Sequence, residues 1–295
     1  MNPVNRLPLW FRQDIPDERT LNLLRLFSGF GVHTVCQEAL CPNITHCFRN
    51  NAVTFMLLGN TCTRNCKFCA VNKSAGAKLA IDEDEPLRIS KVVKMLDLKY
   101  VIITSVSRDD LPDGGAGMFA KTIELIHGVN KNIKVEVLIP DFCGRITSLE
   151  YVLDTKPDVV AHNIETVRRL YPDLRPSADY GISLDILSKI KELNQETITK
   201  SSIMLGLGEA EPEVIDTMQD LKNAKCDILT LGQYLAPSIK HYPVKEFVSI
   251  AQFKKYQDMA ITIGFKSVLS GPLVRSSYQA EEVNEAITYG ARSAT

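Results

Sequence analysis

Six of this chain's eight cysteines lie between positions 36 and 69, in two sets of three. Cys62, Cys66 and Cys69 are spaced C-x3-C-x2-C, and Cys36, Cys41 and Cys47 are spaced C-x4-C-x5-C. Three thiolates on a cubic iron–sulfur cluster leave one iron without a cysteine, and that iron is free to take a substrate or another ligand. Two such triplets predict two 4Fe-4S clusters with two separate tasks. Disulfides fit poorly, because the chain is long, rich in apolar residues and shows no export signal. Structural zinc is the simpler competitor, but it calls for four ligands and neither triplet offers an evident fourth. His46 adjoins Cys47 too closely to ligate comfortably beside it.

Something must hold these thiols in place. From residue 53 onward, short apolar runs alternate with amphipathic stretches. The strand candidates are Val53–Leu58, Tyr100–Thr104, Lys134–Ile139, Asp158–His162, Ser201–Leu205 and Ile228–Leu231. The helix candidates are Leu87–Leu98, Gly117–Asn130, Ile146–Asp154, Ser183–Leu193, Pro212–Asn223 and Ile250–Ile263. Runs that are apolar on both faces suit a parallel sheet, and six β–α units predict an α/β fold, a partial (β/α)6 barrel over residues 53–263. Residues 1–52 read as an N-terminal extension, with a helix over Glu18–Phe27 and a cysteine-bearing loop. Residues 264–295 read as a C-terminal extension, with a strand candidate at Phe265–Leu269 and a short helix.

In a parallel β/α barrel, the loops after the strands build the active site. Here they read GNTCTRNCKFC, SVSRDDLPDGG, PDFCGR, HNIET, GLGE and GQYLAPS. The C-x3-C-x2-C set, with Phe68 before its last cysteine and a strand just ahead of it, resembles the radical S-adenosylmethionine (SAM) superfamily. The other triplet, together with SRDDLPDGGA, HNIETVRRLYPDLRP, GLGE, LTLGQYLAPS and SGPLVRSSYQA, is similar to the lipoyl synthase family. That likeness runs from about residue 36 to residue 280. Two positions depart from the family pattern: Phe48 stands where tryptophan is common, and His46 where an acidic residue is often found. Both departures leave the ligands intact and bear on local packing or partner contact.

The resemblance implies a partial barrel of radical SAM type. It also implies a sulfurtransferase that inserts two sulfur atoms at the sixth and eighth carbons of a protein-bound octanoyl-lysine, consuming two SAM molecules and giving the lipoyl cofactor. In such enzymes one cluster cleaves SAM to a 5′-deoxyadenosyl radical, and the auxiliary cluster is the sulfur source. Carried onto this chain, Cys62, Cys66 and Cys69 hold the SAM cluster and Cys36, Cys41 and Cys47 the auxiliary one. The auxiliary cluster's fourth ligand would be a serine of the RSSY segment, Ser276 or Ser277, with Ser277 preferred; Arg275 joins the implied catalytic set. An oxygen ligand holds iron less firmly than a thiolate, which suits a cluster that surrenders sulfide.

For SAM, the resemblance implies Phe68 at the adenine, Thr104 and Ser105 near the methionyl amino group, and Asn163 and Glu165 at the ribose. Gly206, Gly208 and Glu209 would sit at the adenosine side and Arg175 at a carboxylate. Arg108, Asp109 and Asp110 are expected to form a structural hydrogen-bonding cluster. Cys226 reads as a buried apolar residue, and Cys143 as a bystander on the active face. The implied partners are octanoylated lipoyl-carrier domains (2-oxoacid dehydrogenase acyltransferase subunits and the glycine-cleavage H protein), an electron donor such as flavodoxin or ferredoxin, and an iron–sulfur cluster assembly or repair carrier.

Composition sets the bounds. A formal net charge of −1 offers no basic surplus for nucleic acid. No apolar run approaches the roughly 18 residues needed to span a bilayer. The N-terminus, MNPVNRLPLWFRQDIPDER, looks like neither a secretory signal nor a transit peptide. The expectation is a cytoplasmic enzyme that binds neither nucleic acid nor membrane. One rival is another radical SAM enzyme with an auxiliary cluster, such as a methylthiotransferase or a biotin-synthase-like sulfur inserter; RSSY and the N-terminal place of the second triplet speak against it. The other rival is a non-catalytic iron–sulfur carrier or zinc-stabilised scaffold, which metal analysis separates.

Overall fold

The computed structural model describes residues 7–74 and 79–288. Helix α1 (Glu18–Phe30) begins where the Asp17 side chain accepts from the Thr20 amide, and it stops at Gly31 in the left-handed region. Its inner face, with Leu23 and Phe27, is buried. After it come a short strand β1 (His33–Thr34), a one-turn helix α2 (Val35–Glu38) and α3 (Ile44–Arg49). Strand β2 (Thr54–Leu57) leads into a small parallel ribbon of β3 (Thr61–Cys62) and β4 (Asn72–Lys73).

Thereafter strands and helices alternate: α4 (Glu85–Met95), β5 (Tyr100–Ser105), α5 (Ala116–Val129), β6 (Lys134–Leu138), α6 (Ile146–Leu153) and β7 (Val159–Ala161). Next are α7 (Tyr171–Leu174), α8 (Tyr180–Leu193), β8 (Ile198–Leu205), α9 (Glu211–Asn223) and β9 (Ile228–Gln233). The last described elements are α10 (Ile250–Ile263), β10 (Ser267–Gly271) and α11 (Ala280–Thr288).

The main sheet has the order β1-β2-β5-β6-β7-β8-β9-β10. Only β1 is antiparallel to its neighbour. The sheet is therefore an open β/α barrel in which each parallel crossover is a helix-bearing connection. Strand β10, in the stretch read as an extension, pairs along β9 and adds a parallel strand beyond the six β–α units of the sequence.

A charged pair with a hydroxyl partner lies within the apolar interior. Lys200 on β8 and Glu136 on β6 are each 1% exposed and pair at 2.8 Å, and the Tyr100 hydroxyl donates to the same carboxylate at 2.7 Å. A buried charge pair is tolerable when its hydrogen bonds are made, as these are. Alternation along β5 puts Tyr100, Ile102 and Thr104 on one face. The first two pack against Ala280 of α11, and the third lines the cleft described next. Among the described residues, no helix is long and apolar enough to cross a membrane.

Candidate active site

The chain leaves β2 through Leu58 and Gly59, both with positive φ (68° and 75°). Their amides donate to the two carboxylate oxygens of Glu85, at 2.6 and 3.2 Å. This turn opens the loop that carries Cys62, Cys66 and Cys69. Neighbouring loops hold it: the Thr63 amide and hydroxyl donate to Ser107 O at 3.0 and 2.9 Å, and the Tyr242 amide donates to Lys67 O at 3.0 Å.

Arg64, between the first two cysteines, is 5% exposed. Its Nε and Nη2 reach Asp109 after β5 at 2.7 and 2.9 Å, and its Nη1 and Nη2 reach Asp141 after β6 at 2.6 and 2.5 Å. Burial pushes Asp141 up, but Arg64 outweighs it and holds the carboxyl at about 2. One guanidinium thus fastens the thiol loop to two strand ends. Arg64→Ala strands the buried Asp141 carboxylate and is expected to cost on the order of 3–5 kcal/mol, read as a lowered urea midpoint. Arg64→Lys should recover only part of this, since an ammonium cannot serve both carboxylates in bidentate fashion.

Beside the loop lies a cleft of about 130 Å³. Of the residues expected at SAM, Thr104, Ser105, Asn163, Glu165 and Arg175 line it. Phe68, Gly206, Gly208 and Glu209 do not. Phe68 packs half-buried on the core. Glu209 spends its carboxylate on the amides of Gly206 and Leu207, at 2.6 and 2.8 Å. Gly206 (φ 91°) is required by packing, because a Cβ there would lie 2.1 Å from Gln233 Nε2 and 2.3 Å from Glu246 O.

Three buried polar atoms of cleft residues have no partner among the described residues: Ser105 Oγ, His162 Nε2 and Arg175 Nε. Such atoms are costly unless a ligand satisfies them. Arg175 Nη1 donates to Asn163 O at 3.1 Å and to the Tyr171 hydroxyl at 2.5 Å. The guanidinium lies close enough to Cys66 and Glu165 to favour their charged forms, although burial pushes both groups up.

His162 ends the strand candidate Asp158–His162, and nothing in its sequence pattern marks it as facing a cleft. Its Nδ1 sits 2.9 Å from Ile139 O, which only accepts, so Nδ1 carries the proton and Nε2 faces the cleft as a bare acceptor. Burial first, and the Arg175 charge second, lower its pKa to about 4. The unfolded chain binds this proton near 6.5 and the folded chain does not, so stability falls as pH drops from 6.5 to about 4. Urea midpoints measured across that window should show the fall, and His162→Gln should flatten it.

The second thiol set lies on α2, α3 and the turn between them. Cys36 is buried, and Cys41 and Cys47 are half-buried. Burial pushes Cys36 and Cys47 up to about 12, and the thiols raise one another further. Asn43 in the same turn donates from Nδ2 to Leu273 O at 2.6 Å, tying the set to the loop after β10. One residue on, the Val274 carbonyl would lie 2.0 Å from a Gly232 Cβ, so β9 must offer glycine there. Along this loop the Arg275 charge faces Cys41, and the Tyr278 ring stacks on His46 with centroids 5.7 Å apart. Phe48 is fully buried, edge-on to Phe27.

The two serines of this loop differ. Ser276 Oγ donates to Asn163 Oδ1 at 2.9 Å, inside the cleft wall. The half-buried Ser277 hydroxyl has no hydrogen-bond partner among the described residues.

All eight cysteines are free thiols. Among the described residues, no three His, Cys, Asp or Glu side chains are arranged to hold a single metal ion. Two sets of three soft donors, each set within electrostatic reach of itself, fit clusters in which each thiolate takes a different iron. Arg64, Asp141 and His162 were missed as site residues. The one available signal was an arginine placed between two of the clustered cysteines. Cys143 lies exposed beside Asp109, with Sγ 3.3 Å from its carboxylate, and Cys226 is fully buried.

Residues 56–221 match the radical SAM superfamily. The chain is 51% identical over 281 residues to the lipoyl synthase of Caldicellulosiruptor bescii, covering 95% of this chain and 96% of that one. It is 52% identical over 251 residues to the lipoyl synthase of Aquifex aeolicus, covering 85% and 90%. Solved structures with the same fold include Streptococcus suis SuiB bound to S-adenosylmethionine, with a TM-score of 0.57 and 11% identity over 77% of this chain. Another is HydG, a maturase of the FeFe-hydrogenase, with a TM-score of 0.55 and 17% identity over 78% of this chain. The chain spans 53% and 58% of those two structures, respectively. Fold, paired thiol sets and near-full-length identity agree, and the chain belongs to the lipoyl synthase family of the radical SAM superfamily.

Proposed function

We propose that this chain converts a protein-bound octanoyl-lysine to its lipoyl form by inserting one sulfur atom at the sixth carbon and one at the eighth. When bound, the clusters supply an electron for the cleavage of SAM and, from the auxiliary one, the sulfur. Cys62, Cys66 and Cys69 hold the first cluster, and Arg64 fixes their loop. In the cleft, Arg175 pairs with the SAM carboxylate. Thr104, Ser105 and His162 take its amino end, and Asn163 and Glu165 take the ribose. Phe68 and the turn of Gly206, Gly208 and Glu209 serve from outside the cleft, by packing and by shaping the wall. Cys36, Cys41 and Cys47 hold the auxiliary cluster, Ser277 closes it, and the Arg275 charge offsets that of the thiolates.

The observation that carries this reading is that one loop, Leu273–Tyr278, reaches the second thiol set through Asn43 and His46, and the cleft through Asn163. The substrates are octanoylated lipoyl-carrier domains, with a flavodoxin or ferredoxin as electron donor and an assembly carrier restoring the spent cluster. Eight free thiols suit a reducing compartment such as the cytoplasm. The test is anaerobic turnover with SAM, a reductant and an octanoyl-lysine peptide. The peptide should gain two sulfurs and lose two hydrogens; a methylthio product, or none, would overturn the reading.

A further inference from the structure

Among the described residues, the RSSY loop meets the cleft through one side-chain hydrogen bond. Ser276 Oγ donates to Asn163 Oδ1 at 2.9 Å. The rest of Asn163 is also committed: Nδ2 donates to Glu165 Oε1 at 3.1 Å, and the backbone carbonyl accepts from Arg175 Nη1 at 3.1 Å. Asn163, Glu165 and Arg175 all line the cleft. Ser276 is therefore the end of a hydrogen-bonded chain from the cleft, and it is covalently next to Ser277.

The loop has little freedom to take up a displacement. Its Leu273 carbonyl is held by Asn43, its Val274 carbonyl is pressed against Gly232, and the Arg275 guanidinium donates to that same Val274 carbonyl at 2.7 Å. A shift of the Ser277 hydroxyl moves Ser276, and Ser276 turns the Asn163 amide.

We propose that Ser276 is a positioning residue that couples filling of the cleft to closure of the auxiliary cluster by Ser277. The inference rests on the assignment of Ser277 as that cluster's ligand. Its direction follows from preorganisation. With Ser277 on iron the loop is fixed, so Ser276 holds Asn163 and, through it, Glu165 in one orientation before any ligand arrives. The ordering cost is then met in advance, and the cleft binds more tightly. Linkage makes the effect reciprocal, so a filled cleft also steadies the Ser277 ligation.

The test is a binding cycle that needs no turnover. The probe is S-adenosylhomocysteine, which is not cleaved, and its Kd is measured by equilibrium dialysis. Measurements compare anaerobically reconstituted protein with the Cys36/Cys41/Cys47→Ala variant, which lacks the auxiliary cluster. The parent should bind about fivefold more tightly than that variant, roughly the worth of one net hydrogen bond. In the Ser276→Ala background the difference should vanish, and Ser276→Thr, which keeps a hydroxyl, should restore it.

Iron is counted in every sample. An unchanged fivefold gap in Ser276→Ala would overturn the proposal, as would no gap in the parent. So would loss of about four irons on Ser276→Ala, since Ser276 would then be holding the cluster itself. Failure of the functional reading looks different: the parent would load both clusters and bind the probe, yet yield no lipoyl peptide.

Discussion

Replacing Cys62, Cys66 and Cys69 together with alanine is expected to reduce SAM cleavage to background, while replacing Cys36, Cys41 and Cys47 leaves cleavage running and removes the lipoyl product. The asymmetry follows from position. The first set lies on the loop that Arg64 fastens beside the cleft, and Arg175 of the cleft wall acts on Cys66. The second is tied to the RSSY loop through Asn43, and among the described residues that loop meets the cleft through Ser276 and Asn163. Each triple variant should lose about four of about eight irons per chain, the complement of one cubane. The measurement is 5′-deoxyadenosine and lipoyl peptide, quantified in the same anaerobic reaction beside an iron assay. Equal loss of cleavage in both variants would mean that the two thiol sets do not have separate tasks.

Ser277→Ala should lower lipoyl product by about 100-fold or more, the upper range seen when groups that support a metal site are removed, with 5′-deoxyadenosine formation within about twofold. Its hydroxyl is half-buried and has no partner among the described residues, whereas that of Ser276 is already given to Asn163. A free oxygen on the loop that reaches the second thiol set through Asn43 and His46 is what an iron lacking a fourth thiolate needs. Ser277→Cys should keep the cluster and slow sulfur release, because a thiolate grips iron more firmly than an alkoxide does. If Ser276→Ala, not Ser277→Ala, abolished product and stripped the iron, the ligand assignment would have to move by one residue.

Most of the barrel was legible, because parallel strands buried on both faces leave long apolar runs. Strands β2, β5, β6, β7 and β9 begin and end within two residues of their expected positions. Strand β8 starts at Ile198, ahead of the expected Ser201, because Lys200 reads as polar. In the folded chain that charge is cancelled by Glu136, whose place opposite it no local pattern reveals. Strand β1, at two residues, is too short for periodicity to register. Strand β10 was read as a strand but not as part of the sheet, since its partner is set by the crossover of α10 and not by its own residues.

The thiol sets announce themselves by spacing, but the groups that hold them do not. Arg64 meets Asp109 and Asp141 across 45 and 77 residues of chain, and only the barrel brings those loops together. Asp109 and Asp110, expected in one cluster with Arg108, divide: Asp110 pairs with Arg108, and Asp109 goes to Arg64. The resemblance put the GLGE turn at the adenosine side of SAM. What approaches Gly206 is the protein's own Gln233 and Glu246. His162 gave no local signal, because only the folded barrel shows that one ring nitrogen is bonded and the other has no partner among the described residues.

The central claim is that one thiol set supports a radical generator that survives turnover and the other holds the sulfur that is consumed. The most direct measurement is a single anaerobic turnover with protein whose clusters were reconstituted from sulfur-34 sulfide and then freed of excess sulfide. With SAM, reductant and octanoyl-lysine peptide, the lipoyl peptide should carry two heavy sulfurs. The iron remaining per chain should fall toward about four, with the Cys62 set still loaded. A lipoyl peptide with light sulfur, or heavy product with both clusters intact, would contradict the account.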